Sequence, residues 1–311
     1  MSFKMPRIAV AGSLHYDIML RTPYLPRQGE TLVGSQWWWK PGGKGCNQAV
    51  AASRHGAAVE MIGALGTDDF GAKLRQHLEA SGVGHRHVSQ SAHGSGMSVA
   101  MVEPGGDYSA VVVSGANLAI SVAQIEAAKE LLSSVRVLIL QNEIPESANA
   151  GAARIVQAAG GTVILNAAPA RAFTDALNGS AGVLVVNAIE AEMLGASPVE
   201  DLATAVEAAR RLRTIAPIVI VTAGGNGVAA SAPGGDLRLP AHAVANPQTH
   251  GAGDVFVGAL AARLAEGVAL PEALAYANAA ASLHVGASEA GQAGIGPEQV
   301  RAFLARQTAK R

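Results

Sequence analysis

Short unbroken apolar runs alternate along this chain with longer stretches in which apolar residues recur every three or four positions. Residues 8–11, 59–63, 137–141, 163–166, 183–187 and 218–222 read as strands. Most are continuous rather than alternating, as expected where both faces of a parallel sheet are covered. Between them, 47–55, 70–80, 122–132 and 199–213 read as helices. Ser121 with Gln124, and Ser197-Pro198 with Glu200, have the spacing of capping boxes, the second with proline at the first helical position. The repeated strand–helix–strand order predicts an α/β fold built on an open, doubly wound, mostly parallel sheet.

Two segments break this rhythm. Within 16–40 and 96–113 the pattern alternates, as in Ser98-Val99-Ala100-Met101-Val102 and again over 108–113, with Gly105-Gly106-Asp107 as the turn between them. Such strands do not fit the parallel sheet and predict a small β-sheet standing off it, as a lid or a dimer surface. Trp37-Trp38-Trp39 falls there and would send two rings to one face and one to the other. Lid packing or a dimer contact explains the tryptophans better than sugar stacking. With no linker, low-complexity tract or repeat, residues 1–311 read as one domain carrying a lid.

Composition narrows the class. Hydrophobic residues are 49% but aromatics 4%, so the core is expected to be aliphatic and alanine-rich. The 23 Lys+Arg against 24 Asp+Glu leave a charge of −1, which gives no footprint for nucleic acid. One cysteine, Cys46, excludes an internal disulfide and a cysteine-rich metal site. The start has no signal-like apolar region, and no run is long enough to span a bilayer, so a soluble cytoplasmic enzyme is expected, with no membrane partner.

The sharpest local signal is Thr249-His250-Gly251-Ala252-Gly253-Asp254, directly before an apolar helix. Glycines there let backbone N–H groups converge at the positive end of the helix dipole, suited to an anionic transition state. Asp254 would sit in the first turn, as a proton acceptor or as a carboxylate stabilising its own helix. Gly42-Gly43-Lys44-Gly45-Cys46-Asn47 opens another helix but lacks the Ser or Thr and the spacing of a Walker loop, and no dinucleotide fingerprint follows any strand. Asn187 and Glu190 fit either helix capping or a hydrated magnesium ion. Thr222 to Gly227 fits a hairpin turn, and His85, His87 and His93 read as a solvated loop rather than a metal site.

Together these segments resemble the ribokinase (PfkB-type carbohydrate kinase) family, from Gly12-Ser13 to about residue 296. The carriers, in order, are Gly12-Ser13 to Asp17, Pro26 to Glu30, Gly42-Gly43-Lys44-Gly45 through Asn47-Gln48-Ala49, and Gly66-Thr67-Asp68 to Gly71. Gly115-Ala116-Asn117, Asn166 to Ala170, Asn187 to Glu190 and Gly251 to Asp254 complete the set. The resemblance implies transfer of the ATP γ-phosphoryl group to a sugar hydroxyl, the 5-hydroxyl of a ribose-like sugar. It implies Asp254 as the base, with Gly251, Ala252 and Gly253 as the anion hole. Asp17, Gly43, Lys44, Asn47 and Glu143 would hold the sugar. Asn187, Thr222, Gly224, Gly227 and Asn278 would lie along the nucleotide, with Glu190 organising Mg2+. The lid strands would also form a homodimer.

Two positions depart from the family pattern. His15 stands where asparagine usually contacts the sugar, which leaves open a nucleoside or other furanose kinase. Gln248 stands where an aspartate usually helps to bind an activating potassium ion, so weak or absent K+ activation is expected. A non-catalytic sugar or nucleotide sensor is the rival of a different class. An intact Asp254 and glycine nest argue against it, since a sensor needs no base.

Overall fold

In the computed structural model, residues 7–104, 108–174, 177, 179–245, 247 and 249–308 are described. The strands are β1 (Arg7–Ala11), β2 (His15–Arg21), β3 (Gln36–Gly42), β4 (Ala58–Gly66), β5 (Val83–Ser91), β6 (Gly96–Val102), β7 (Tyr108–Val113), β8 (Val137–Gln141), β9 (Thr162–Asn166), β10 (Val183–Asn187), β11 (Ile218–Thr222), β12 (Gly227–Ala232) and β13 (Gly235–Pro240). The helices are α1 (Lys44–Arg54), α2 (Asp69–Ala80), α3 (Val122–Ala127), α4 (Lys129–Leu132), α5 (Glu146–Ala158), α6 (Ala188–Met193), α7 (Leu202–Arg211), α8 (Ala252–Ala265), α9 (Leu270–Gly286), α10 (Glu289–Gln292) and α11 (Pro297–Thr308).

The large sheet runs β13-β12-β11-β10-β9-β8-β1-β4-β5. Its strands pair in parallel from β11 to β5, and the hairpin β12–β13 closes one edge antiparallel. Period-two alternation divides the core. On β1, Ile8 and Val10 pack with α1, α2, α8, α9 and α11, whereas Ala9 and Ala11 face α3 to α7. Both cores are aliphatic and alanine-rich, as the scarcity of aromatic residues demands. The β11–β12 turn is the hairpin expected from Thr222 to Gly227.

Helices α1 and α8 cross unusually closely. A Cβ on Gly258 would lie 2.5 Å from Ala51 Cβ, so glycine is required there. This approach brings the start of α1 against the start of α8, which positions the site described below.

The small sheet runs β3-β2-β6-β7, with β2 parallel to β6 and the other pairs antiparallel. Its strands begin one residue earlier and end two later than the expected segment 16–40, and they fall within 96–113 as expected. Residues 105–107, expected as its turn, lie outside the described residues. Asn117 clasps its root: Leu14 N donates to Asn117 Oδ1 at 2.9 Å, and Asn117 Nδ2 donates to the Leu14 carbonyl at 3.0 Å. Tyr16 stacks on Phe70 of α2 and on Trp39, at centroid distances of 4.1 and 4.6 Å. Trp39 therefore packs at the root of the small sheet, while Trp37 is 66% exposed.

Three local expectations are corrected. The helix expected over 199–213 begins at Leu202, because Asp201 accepts from Thr204 N while its own N–H donates to Thr204 Oγ1. That box replaces the one expected from Ser197 and Glu200. The stretch 122–132 is interrupted at Ala128, although Ser121 does cap its start. His85 and His87 lie on β5, not in a loop, because the strand continues the parallel ladder at the edge beside β4. Among the described residues, no helix is long and apolar enough to cross a membrane.

Candidate active site

The chain leaves β1 toward β4 on one side and returns as β8 on the other, so the order of the sheet reverses between β1 and β8. Connections diverge at such a point and leave a crevice beyond the carboxyl ends of the strands. The polar residues Ser13, Gln141, Asn142, Glu143 and Asn166 all fall at that end.

Asp254 is the third residue of α8, whose N-cap Gly251 has φ 78°, a left-handed conformation that glycine adopts without strain. Asn47 Nδ2 donates to Asp254 Oδ2 at 3.0 Å, and Gln48 Nε2 donates to Oδ1 at 2.9 Å. Burial pushes the Asp254 carboxyl above the ordinary range; the Lys44 charge and the two amide donors oppose this, and Glu143 adds to it. The result is a half-buried carboxylate hydrogen-bonded in its ionised form, as a general base requires. The Ala252 N–H is engaged by the Thr249 carbonyl at 3.2 Å. The N–H groups of Gly253 and Asp254 belong to the helix start, where no preceding turn supplies acceptors, so they face an incoming anion.

Across the crevice, Glu143 accepts the Ser13 hydroxyl and, at 2.9 Å, the Lys44 N–H, which ties the end of β8 to the start of α1. Gly43 is the N-cap of α1. Asp17, on β2, accepts from Ser98 Oγ of β6 at 2.5 Å. His15 is buried between Gly42 and Gly96, its register partners, and its Nε2 has no partner among the described residues. Asp17, Gly43, Lys44, Asn47, Glu143 and His15 thus lie where the large sheet meets the root of the small one, and Asp254 closes that group.

The remaining expected residues lie on the other flank. Asn187 and Thr222 are register partners at the ends of β10 and β11. Asn187 and Glu190 form a reciprocal capping box at the start of α6, at 2.9 and 2.8 Å, so the capping alternative is realised. Burial nevertheless raises the Glu190 carboxyl above its usual range, and the Lys44 and Asp254 charges act on it in opposite directions, which places it on the same crevice. Among the described residues no three His, Cys, Asp or Glu gather to hold a metal. Glu190 fits a hydrated magnesium ion that takes few protein ligands and several oxygens from water and phosphate. Gly224 opens on free space, while a Cβ on Gly227 would strike the Leu239 carbonyl at 2.1 Å. Asn278 Nδ2 donates to the Pro240 carbonyl at 2.9 Å and so ties α9 to the end of β13. Gln248 lies outside the described residues.

Sequence reasoning named no role for Gln48, Gln141 or Asn166 in the site. All three are buried, and they are bonded in series. A signal was present: Gln141 and Asn166 are polar residues that close otherwise apolar strands at the carboxyl end.

The profile of pfkB family carbohydrate kinases matches residues 5–294. The chain is 36% identical over 281 residues to the ribokinase of Bacillus subtilis strain 168, across 90% of this chain and 93% of that one. It is 32% identical over 257 residues to the deoxyribokinase of Salmonella typhi, across 82% and 84% of the two chains. The structure of Arabidopsis thaliana ribokinase complexed with ribose and ATP superposes with a TM-score of 0.88 at 29% identity, covering 96% of this chain and 99% of that one.

Proposed function

The chain belongs to the pfkB family of carbohydrate kinases, and we propose that it transfers the γ-phosphoryl group of ATP to the 5-hydroxyl of D-ribose. The observation that carries this reading is the Asp254 carboxylate, clasped by Asn47 and Gln48 at the start of α8, beside free first-turn N–H groups. Asp254 takes the proton of the sugar hydroxyl, the hydroxyl oxygen bonds to the γ-phosphorus, and ADP leaves on the opposite side. Charge on the transferred group is met by the N–H groups of Gly251, Gly253 and Asp254 and by Lys44, while the Ala252 N–H stays with the Thr249 carbonyl; losing one preorganised donor of this kind costs roughly 10²–10³ in rate. Asp17, Gly43, Lys44, Asn47 and Glu143 orient the sugar. Asn187, Thr222, Gly224, Gly227 and Asn278 line the nucleotide side. Glu190 would hold hydrated magnesium, which when bound neutralises phosphate charge.

The chain works as one domain in the cytoplasm, with the small sheet as a lid over the sugar. Its exposed face, with Trp37, Val111 and Val112 at 66%, 66% and 55% exposure, pairs with a second copy. Sedimentation as a monomer at micromolar concentration would refute the pairing.

A second reading within the same chemistry rests on His15. A buried imidazole with an unpaired nitrogen at the lid root changes what the sugar pocket can hydrogen-bond, and suits another furanose such as deoxyribose or a nucleoside. An ADP-release assay over pentoses, hexoses and nucleosides separates the readings. D-ribose giving the highest kcat/KM supports the first. A nucleoside or deoxyribose far ahead supports the second, and sugar binding without ADP release would mean a sensor.

A further inference from the structure

Gln48 is fully buried, lies one residue from a sugar-binding amide, and uses every polar atom of its side chain. Its Nε2 donates to Asp254 Oδ1 and to Asn166 Oδ1, each at 2.9 Å, and its Oε1 accepts from Gln141 Nε2 at 2.7 Å. The direction of this chain is set at its far end. Asn166 Nδ2 donates to the backbone carbonyl of Val185 at 3.2 Å, and a carbonyl can only accept. Asn166 must therefore turn its oxygen toward Gln48, Gln48 must answer with its amino group, and its oxygen must face Gln141. The same amino group then has its second hydrogen for Asp254. Gln141 Oε1, left over at the end, is buried without a partner among the described residues.

From this geometry we infer that Gln48 is a positioning residue of the transfer: it holds Asp254 Oδ1 permanently as an acceptor and reserves Oδ2 for the proton of the sugar hydroxyl. Oδ2 is the oxygen on the side of Asn47, which is half-buried, whereas Oδ1 faces the closed interior around Gln48 and Asn166. In the reaction the hydroxyl O–H bond breaks, its proton passes to Oδ2, its electron pair forms the new bond to the γ-phosphorus, and the bond to ADP breaks. The Gln48 donor favours the ionised carboxylate throughout and opposes the effect of burial. The other charged groups facing Asp254 are Lys44 from α1, Glu143 from the end of β8 and Glu190 from α6. Cys46, pushed up to about 12 by burial and by the Asp17 and Asp254 charges, stays a neutral thiol.

The inference rests on the kinase reading for its chemistry, and the test keeps the two apart. Gln48→Met keeps the volume and removes the donor. The expected result is a kcat at neutral pH lower by about tenfold or more, an acidic limb of the kcat–pH profile moved up by about one pH unit, and KM values for sugar and ATP within about threefold. Loss of a donor raises the base, so activity disappears earlier as the pH falls. A carbon-13 titration of the Asp254 carboxyl reads the same shift without turnover. Asn166→Leu, which removes the acceptor that sets the direction of the Gln48 amide, should move the limb in the same direction by less, and serves if Gln48→Met does not fold. A limb and an Asp254 midpoint that stay in place, whatever the change in kcat, reduce Gln48 to packing and overturn the inference. A wild-type protein without sugar-dependent ADP formation overturns the kinase reading, while the Asp254 midpoint still decides the role of Gln48.

Discussion

The two sheets hold their crevice-facing groups differently. At the carboxyl ends of the large sheet, Gln141, Gln48, Asn166 and Asp254 are bonded in series and anchored on a backbone carbonyl, so the carboxylate has one orientation before any ligand arrives. At the root of the small sheet, His15 Nε2 is buried without a partner among the described residues, and the outer face leaves Trp37 and Val111 to Val113 exposed. Reacting groups need fixed geometry, because reorganisation during the chemical step raises the barrier. Recognition groups gain from partners that only the ligand supplies, since an unmet polar atom then discriminates against a molecule that cannot meet it. Damage to the large sheet's end should therefore appear in kcat, and damage to the lid in KM or specificity.

The largest effect expected is at Asp254. Asp254→Asn removes the proton acceptor but keeps the size of the side chain, and kcat should fall by about 10² or more with sugar KM within about threefold. Steady-state kinetics with D-ribose and ATP measure this. Near-normal turnover would take Asp254 out of the base role and erase the contrast between the sheets.

Next is Gly42, on the lid strand β3. A Cβ there would lie 1.8 Å from Asp17 Oδ2, so Gly42→Ala must push the Asp17 carboxylate off its bond to Ser98. Sugar KM should rise about tenfold or more, with a smaller change in kcat at saturation. A loss confined to kcat would show that Asp17 belongs with the chemical step rather than with recognition.

The contrast also explains what could be read from the chain. The parallel strands were legible because burial on both faces leaves unbroken apolar runs, and the small sheet because its exposure on one face restores alternation. The place of Asp254 in the first turn of an apolar helix was legible because the glycines just before the apolar run mark the helix start. Gln48 was not, since a glutamine early in a helix looks like a solvated residue until α8 is seen to cover it through Gly258. Helix α7 starts later than the spacing predicts for a related reason: Pro198 and Glu200 satisfy a capping pattern, but the carboxylate of Asp201 competes for the same turn and wins.

A smaller effect is expected at His15. Asparagine there would exchange a bulky imidazole for an amide with both donor and acceptor, and kcat/KM for D-ribose should rise by about tenfold, the scale of one or two hydrogen bonds. Loss of ribose activity in His15→Asn would instead make the histidine a positive sugar contact, with Nε2 as the atom that meets it.

The smallest effect concerns the monovalent ion. The resemblance to the family implies an aspartate at this point of the sequence that helps to hold an activating potassium ion, and the sequence here has the neutral amide Gln248. A unit charge about 4 Å from the ion is worth roughly 4 kcal/mol at an effective dielectric near 20, before desolvation, so even a quarter of it weakens binding several-fold. His250 adds no repulsion of its own, because burial, Lys40 and Lys44 lower its pKa and keep the imidazole neutral. The loop also has internal supports that need no ion. Ala252 N donates to the Thr249 carbonyl at 3.2 Å, and His284 Nε2 reaches the His250 carbonyl at 3.1 Å, which requires the tautomer protonated at Nε2. The turn before α8 is thus braced from α9, and potassium should change kcat/KM by less than about threefold relative to a bulky inert cation at fixed ionic strength. Gln248→Asp should restore a clear dependence. Activation of the wild-type enzyme beyond about tenfold, with a millimolar midpoint, would show that backbone carbonyls alone hold the ion and that the end of the large sheet is less rigid than its hydrogen bonds suggest.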